Sequence, residues 1–293
     1  MVRICRYNMP VSTEPRTRCS SALSEAEEWL IEAKRLVERL ESRALRFRLH
    51  YVSTCGSTQD VARSLAEAGA SEGTVVVAEE MKSGRGRAGR FWYAPPGGLW
   101  FTLVLRPRSA RGLHLLAIIS SLSVARAVEE LCGLDARVKW PNDVVIGNRK
   151  LSGSLVEVKM QGSSPVYALL GVGVNVNNSI PAEVAEVAIS LKQALGRNVS
   201  RAVLLSRTLE LIDLYYSLLQ AGSHDTILGE WKKRSAIMGR RIKVELEGDR
   251  VLAGTAIDIN SIGSLLVRLD SGDVVEIQPC RARCLRVLPS LAV

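Results

Sequence analysis

Apolar and polar residues alternate along the chain with two different periods, and the switches between them mark the elements. Trp29, Ala33, Leu36, Val37, Leu40 and Ala44 recur at helical spacing, which predicts one amphipathic helix. Ser24 followed by Glu27 has the spacing of a capping box at its start. "LRFRLHYV" then alternates Leu45, Phe47, Leu49 and Tyr51 with Arg46, Arg48 and His50, the pattern of a half-buried strand. Ser57 and Thr58 precede an amphipathic helix that runs to about Ala68, and "TVVVAEE" and "LWFTLVL" read as buried strands. Leu113 to Leu131 reads as a buried helix and "ARVKW" as a short strand stopped by Pro141. "VVIGNRKLSGSLVEV" is a hairpin turning at Gly147-Asn148, and "VYALLGVGVNV" is a further strand. Helical patterns cover residues 183 to 195, Ser200 to Gln220, and a short stretch ending near Trp231.

The pattern changes after "KKRSAIMG". Short strands "RIKVELEG", "RVLAGTAIDI", "SLLVRLD" and "VVEIQ" are joined by "EGD", "NSIG" and "DSGD", which predicts a small β-barrel of about 50 residues. The division expected is a polar tail and single helix over 1–44, a main domain over 45–235, and the β unit over 236–293. Residues 1 to 22 are polar, with Pro10 and Pro15 and no periodicity, and are expected to be disordered or loosely attached. A winged-helix DNA reader needs about three helices and a β-wing. The single helix predicted here leaves no room for one.

Composition narrows the class without naming it. With 293 residues, two domains are the prior. An apolar fraction of 47% and a charged fraction of 24% fit a globular enzyme. The formal net charge of +9 points to an anionic partner such as nucleic acid, a nucleotide or an acidic protein. The opening "MVRICRYNMP" lacks the apolar core of a secretory signal. The longest uncharged apolar stretch, between Arg111 and Arg126, is too short for a bilayer, so a cytoplasmic, non-membrane protein is expected. The six cysteines at 5, 19, 55, 132, 280 and 284 form no C-x-x-C, so buried thiols are expected rather than a zinc site. Cys280 and Cys284 fall on the last strand or its flank. His50, His114 and His224 are far apart in sequence, which argues against a histidine metal site or a Ser-His-Asp triad.

Five stretches carry candidate chemistry. "KSGRGRAGRFW", residues 82 to 92, sets Arg85, Arg87 and Arg90 among Gly84, Gly86 and Gly89. Such glycines let backbone N–H groups approach an anion while guanidinium forks bind its oxygens. A solvated basic loop and an RGG-like nucleic-acid segment are the other readings, and the adjacent Phe91, Trp92 and Tyr93 offer a surface for a purine. "KWPNDVV" projects Asn142 and Asp143 from a corner fixed by Pro141. It is either an ordinary Asx turn or a nucleotide contact, with Asp143 near a magnesium ion. In "RKLSG", Lys150 is a surface charge or a substrate contact. "GVGVNVNN" alternates glycines along an apolar strand, allowing close approach of a ligand or another backbone. "GSTQD" supplies hydroxyls and an amide at a helix start, where simple capping also explains them.

"GRGRAGRFW", "KWPND", "RKLSG" with Glu157 downstream, and "GVGVN" together resemble the biotin protein ligase family in order and spacing, over roughly residues 45 to 290. The resemblance implies an α+β fold: a mixed-sheet, class II synthetase-like catalytic domain with an SH3-like C-terminal barrel. It implies ATP and biotin as substrates with Mg2+. It also implies activation of biotin as biotinyl-5′-AMP and transfer to a lysine of a biotin carboxyl carrier protein, by a homodimer without a DNA-binding domain. By motif, Ser57, Thr58, Gln59, Met81, Arg85, Gly86, Arg87, Lys150 and Gly153 would bind biotin. Arg85, Arg87, Arg90, Trp92, Asn142, Lys150 and Asn175 would bind the nucleotide, with Lys150 and Arg87 catalytic. The sequence departs from the family at Gly56, where an acidic residue is usual, at Met81 in place of glutamine, and at Ser154 in place of a branched apolar residue. A lipoate ligase or octanoyltransferase is the nearest alternative but lacks the Gly/Arg loop and the "KWPND" corner. A nucleic-acid-binding protein is the alternative from another class.

Overall fold

A computed structural model describes residues 25–288, with side chains from Glu28 onward. The expected α+β architecture is observed. Helix α1 (Glu25–Glu38) is followed by β1 (Arg48–Cys55), α2 (Thr58–Glu67), β2 (Thr74–Met81), β3 (Leu99–Leu105) and α3 (Leu116–Cys132). Then come β4 (Ala136–Lys139), β5 (Asp143–Ile146), β6 (Arg149–Gln161) and β7 (Ser164–Val174). Helices α4 (Leu191–Leu195), α5 (Arg201–Gln220) and α6 (His224–Lys233) complete the larger unit. The seven strands lie in the order β1-β2-β3-β7-β6-β5-β4. Only β1 and β2 run parallel, joined through α2, and every other neighbour is antiparallel.

The central strands read as unbroken apolar runs because both faces are covered. On one face Val75, Val77, Phe101, Leu103 and Leu170 join the main core with α1, α3 and α5. On the other, Val76, Val104, Tyr167 and Leu169 pack against Ala62 and Ala66 of α2. Helix α2 covers only part of this second face. Beyond its N-terminus the same face continues in two rows of residues. Leu155, Gly171 and Thr102 form one row across β6, β7 and β3, and Gly153, Gly173 and Trp100 form the next. Three glycines, Gly153, Gly171 and Gly173, in place of bulk leave a hollow there, and this hollow becomes the site.

Two expectations are corrected by contacts distant in sequence. The first helix stops at Glu38 rather than Ala44. The Asp213 carboxylate on α5 accepts the successive N–H groups of Arg43, Ala44 and Leu45 at 2.5, 2.9 and 2.7 Å, and amides spent in this way are not available for the i−4 bonds that would continue the helix. Residues 183 to 195 form two short pieces, Ala182–Val184 and α4, instead of one helix. Between them a turn at 185–187 leads into a stretch from Ala188 to Ser190 that bridges to Lys150, whose N–H donates to Val187 O at 2.7 Å and whose carbonyl accepts from Ile189 N at 3.0 Å. His114 and His224 approach one another in space. Burial pushes the His114 imidazole below its usual range, the Ser261 carbonyl opposes this, and the charge of His224 adds to the lowering.

The C-terminal unit is antiparallel, with strands β8 (Arg241–Leu246), β9 (Val251–Ile259), β10 (Leu265–Arg268), β11 (Val274–Ile277) and β12 (Ala282–Val287) in the order β11-β10-β9-β8-β12. Strand β12 is a fifth strand beyond the four that alternation marked, and it carries Cys284. The unit is joined firmly to the larger one: Trp140 Nε1 donates to Gly263 O at 2.9 Å, and Ala236 N donates to Val138 O at 2.8 Å. The described cysteines are free, but none is fully buried: Cys280 is exposed and Cys55, Cys132 and Cys284 are half-buried. The capping box at Ser24 and the tail over 1–22 lie outside the described residues.

Candidate active site

The hollow is a cleft of about 190 Å3 between the sheet, the N-terminus of α2, the 82–92 loop, the Trp140-Pro141 corner and β12. It brings together Ser57, Thr58, Gln59, Met81, Arg85, Gly86, Arg87, Arg90, Trp92, Asn142, Asp143, Lys150 and Gly153. Asn175 is not among the lining residues. It is buried, and its Oδ1 accepts from Asn178 Nδ2 at 3.1 Å.

One end of the cleft is neutral and polar. Ser57 caps α2, its hydroxyl accepting from Gln59 N at 3.3 Å. The Gln59 side chain turns under the sheet, where its Nε2 donates to Leu155 O at 3.3 Å while its buried Oε1 accepts from no group among the described residues. It fits there because Gly171 has no Cβ: one would stand 3.0 Å from Gln59 Cδ. The Met81 thioether accepts from Thr58 N at 3.4 Å and from Thr58 Oγ1 at 3.6 Å, and Thr102 Oγ1 donates to Thr58 Oγ1 at 2.8 Å. A sulfur is a weak acceptor, so the Thr58 donors are held loosely.

The other end is cationic. Lys150 Nζ lies 2.7 Å from Asp143 Oδ1 and 5.3 Å from the centre of the Trp92 ring. Arg87 donates to Asn142 Oδ1 at 3.2 Å, to Ala282 O at 3.2 Å, and to Pro279 O. Burial lowers the Arg87 guanidinium below its usual range, with the charge of Asp143 opposing. Arg90 donates to Arg283 O. The loop is therefore tied across to the C-terminal unit by its own arginines. Arg85 points the other way and forms a two-pronged ion pair with Asp60 on α2, at 2.6 and 2.7 Å. Hydrogen bonds from Arg85 hold the Asp60 carboxyl below its ordinary range, reinforced by Arg63. The indole of Trp92 lies against Gly173, where a Cβ would stand 2.7 Å from its Nε1, and meets Trp100 edge-on at 6.2 Å between ring centres. At the loop's entry, a Cβ on Gly84 would stand 2.4 Å from Trp92 O, so the two limbs of the loop close only with glycine there.

Two comparisons match this architecture. Residues 52–175 match the model of the "Biotin/lipoate A/B protein ligase family", and residues 237–280 that of the "Biotin protein ligase C terminal domain". The bifunctional ligase/repressor BirA of Bacillus subtilis is 32% identical over 230 residues, covering 76% of this chain and 70% of that one. The biotin–[acetyl-CoA-carboxylase] ligase of Mycobacterium tuberculosis is 31% identical, covering 78% and 89%. The chain belongs to the biotin protein ligase family. Among solved structures, the biotin protein ligase of Aquifex aeolicus in complex with biotin and ATP superposes with a TM-score of 0.73 at 30% identity, over 82% of this chain and 99% of that one. Family membership makes the protein a biotin ligase enzyme.

Within this ligase, sequence reasoning passed over Lys139, Leu155 and the β12 segment Ala282–Leu285, all of which line the cleft, as does Phe91 from the aromatic run beside the loop. Lys139 stands at the end of β4, where its neighbours Ala136 and Val138 alternate inward. Burial pushes its ammonium below the usual lysine range, and the Asp143 charge pulls it back. Alternation along that short strand puts Lys139 on the face opposite the core residues Ala136 and Val138, a signal the sequence held, but β12 gave none, because its place over the cleft depends on a domain contact. Among the described residues lining the cleft, Asp143 is the one carboxylate, and it is already paired with Lys150. A resident divalent metal takes several hard oxygen ligands. This donor set does not fit one.

Proposed function

We propose that the protein joins biotin to ATP as biotinyl-5′-AMP and then transfers the biotinyl group to a lysine of a biotin carboxyl carrier protein. The observation that carries this reading is the division of the cleft: a neutral end with the unpaired Gln59 acceptor and a cationic end around Lys150. Biotin has the matching asymmetry. Its ureido N–H can donate to Gln59 Oε1, while its carboxylate reaches the cationic end beside the phosphates. A carboxylate oxygen attacks the α-phosphorus and the bond to the departing pyrophosphate breaks. The carrier amine then attacks the acyl carbon, AMP leaves, and an amide forms. Both steps gather negative charge, so the protein's contribution is positioning and preorganised positive charge. Lys150 would bridge carboxylate and α-phosphate, Arg87 and Arg90 the phosphates, Arg85 the region over the acyl chain, and Trp92 the adenine. Asn142 would contact the nucleotide, and buried Asn175 would act through the turn it holds with Asn178. Magnesium belongs to this reading as the counter-ion that arrives on the triphosphate. Homodimer formation is part of the same proposal by resemblance. Among the described residues no helix is long and apolar enough to cross a membrane.

ATP–pyrophosphate exchange tests the reading. Exchange is expected with biotin and absent without it. Exchange with lipoate instead would move the protein to the other branch of its family, and none with either would favour an anion-binding module built on the Gly/Arg loop.

Met81 gives a second expected outcome. An amide at this position could take over the Thr58 donors through its oxygen and offer its own N–H groups to the biotin head. One neutral hydrogen bond is worth about 0.5–1.5 kcal/mol, so Met81→Gln is expected to tighten biotin binding roughly threefold to tenfold with the ATP constant unchanged. Calorimetric titration beside melting curves checks it. Weaker binding with a lower melting temperature would mean that the thioether's packing against Ala78, Ala94 and Trp100 matters more than its weak acceptor.

A further inference from the structure

Helix α1 lies outside both family segments, yet it is wired to the loop over the cleft. Trp29 is 7% exposed, and its Nε1 donates to Glu79 Oε2 at 2.9 Å. Arg201, the first residue of α5, donates to both oxygens of the same carboxylate at 2.9 Å, and its guanidinium lies 4.4 Å from the centre of the Trp29 ring. A nearly buried ion pair gains from its geometry only when its remaining donors and acceptors are also satisfied. Here they are satisfied by the chain leaving the loop. Gly97 N donates to Glu79 Oε1 at 3.2 Å, and Gly98 O accepts from Arg201 Nη1 at 3.3 Å. Gly97 has φ +93, and a Cβ on it would stand 3.1 Å from Asn178 N, so the chain threads a gap that admits only glycine. Trp100, three residues on, donates from Nε1 to Pro95 O at 2.9 Å and meets Trp92 edge to face.

We propose that Trp29 is a positioning residue: with Glu79 and Arg201 it fixes the exit of the 82–98 loop and so sets where Trp92 sits over Lys150. The Gly/Arg half of the loop moves against this anchor. Among the described residues, the hydrogen-bond and ring partners of Trp29 are Glu79, Arg201 and Tyr51, which do not line the cleft, so its effect passes through Gly97 and Gly98. The inference rests on the reading of the loop as a cover for the nucleotide. An anchor that orders the loop before the nucleotide arrives improves binding of ground state and transition state alike, which changes KM and leaves kcat in place.

The test uses the full chain with Trp29→Phe, which keeps a ring over Arg201 while removing the N–H donor together with the pyrrole half of the indole. Ala33→Gly, one turn further along α1, is the control, because it weakens the same helix without touching Glu79. Limited tryptic cleavage after Arg85, Arg87 and Arg90 is followed by mass spectrometry, alongside KM for ATP and kcat. For Trp29→Phe, cleavage without ligand and KM for ATP are both expected to rise roughly threefold to tenfold, less than the full loss of a hydrogen bond to a charged group because Glu79 keeps its bonds from Arg201 and Gly97, with kcat unchanged. Ala33→Gly is expected to lower the melting temperature and leave both readouts at the wild-type values. If Trp29→Phe lowers only the melting temperature, or if Ala33→Gly raises cleavage and KM equally, the anchor is general helix stability and the proposal falls. Failure of the underlying reading has a separate signature: cleavage of the wild-type loop would not slow when biotin and ATP are added together. The ligand-free cleavage comparison tests the anchor in either case.

Discussion

Lys150→Ala is expected to slow biotinyl-5′-AMP formation by about a hundredfold to a thousandfold, the loss of about 2.7–4 kcal/mol that follows removal of one preorganised charge-stabilising group. The lysine is held as a preorganised group should be. Its backbone is clamped on both sides by Val187 O and Ile189 N, its stem passes over Gly153, where a Cβ would stand 3.0 Å from Lys150 Cε, and its ammonium is set between Asp143 and the Trp92 ring. The Asp143 pair keeps the ammonium compensated until substrate oxygens take it over. Single-turnover quenching separates the steps. Adenylate formation should carry the loss, while transfer from preformed biotinyl-5′-AMP should be affected far less. Lys150→Arg keeps the charge, but its planar fork is broader than an ammonium and has to pass the same crowded glycine, so it is expected to restore only part of the rate. An alanine variant that forms adenylate at a near-normal rate would reduce Lys150 to a surface charge.

What could be read from the sequence follows from where the determining contacts lie. Strand β1, α2, β2 and β3 were visible because their alternation and capping residues act within a few positions. The site motifs were visible for a related reason. Glycine, arginine and the Trp140-Pro141 corner state locally what the backbone must do, and Gly84, Gly171 and Gly173 each sit where a Cβ would collide. Long-range partners decided the rest. The end of α1 is set by Asp213, about 170 residues away. The extended stretch before α4 is set by Lys150, and the meeting of His114 with His224 by the packing of α3 on α6. Alternation alone could not place β12 over the cleft or show that Arg87 would find carbonyls of the C-terminal unit. Nor could it show that the side chain of Asn175 would be engaged by Asn178 rather than line the cleft. The motif supplied a residue, and the turn around it chose its partner.

The two glycines of β7 separate the ends of the cleft and give the second large expected effect. Gly171 and Gly173 share one face of the sheet, one row apart. Replacing Gly173 with valine puts a Cβ 2.7 Å from Trp92 Nε1 and 2.8 Å from its Cε2. The strand cannot retreat, because Gly173 is paired with Trp100 on one side and Gly153 on the other. The indole, whose Nε1 has no hydrogen-bond partner among the described residues, has to swing out. Stacking of a base on an aromatic ring is worth about 1–3 kcal/mol, so Gly173→Val is expected to weaken ATP binding by roughly tenfold to a hundredfold and to leave biotin binding nearly unchanged. The overpacking itself costs about 1–3 kcal/mol, less than a fold of this size needs to lose before it unfolds. Gly171→Ala does the opposite. Its Cβ at 3.0 Å from Gln59 Cδ displaces the amide that awaits the ureido group, so biotin binding should fall while ATP binding holds. Separate calorimetric titrations of the two variants with biotin and with ATP check the pair. Equal losses of both ligands in both variants would show that the cleft is one undivided cavity, and the division on which the proposed reaction rests would be wrong.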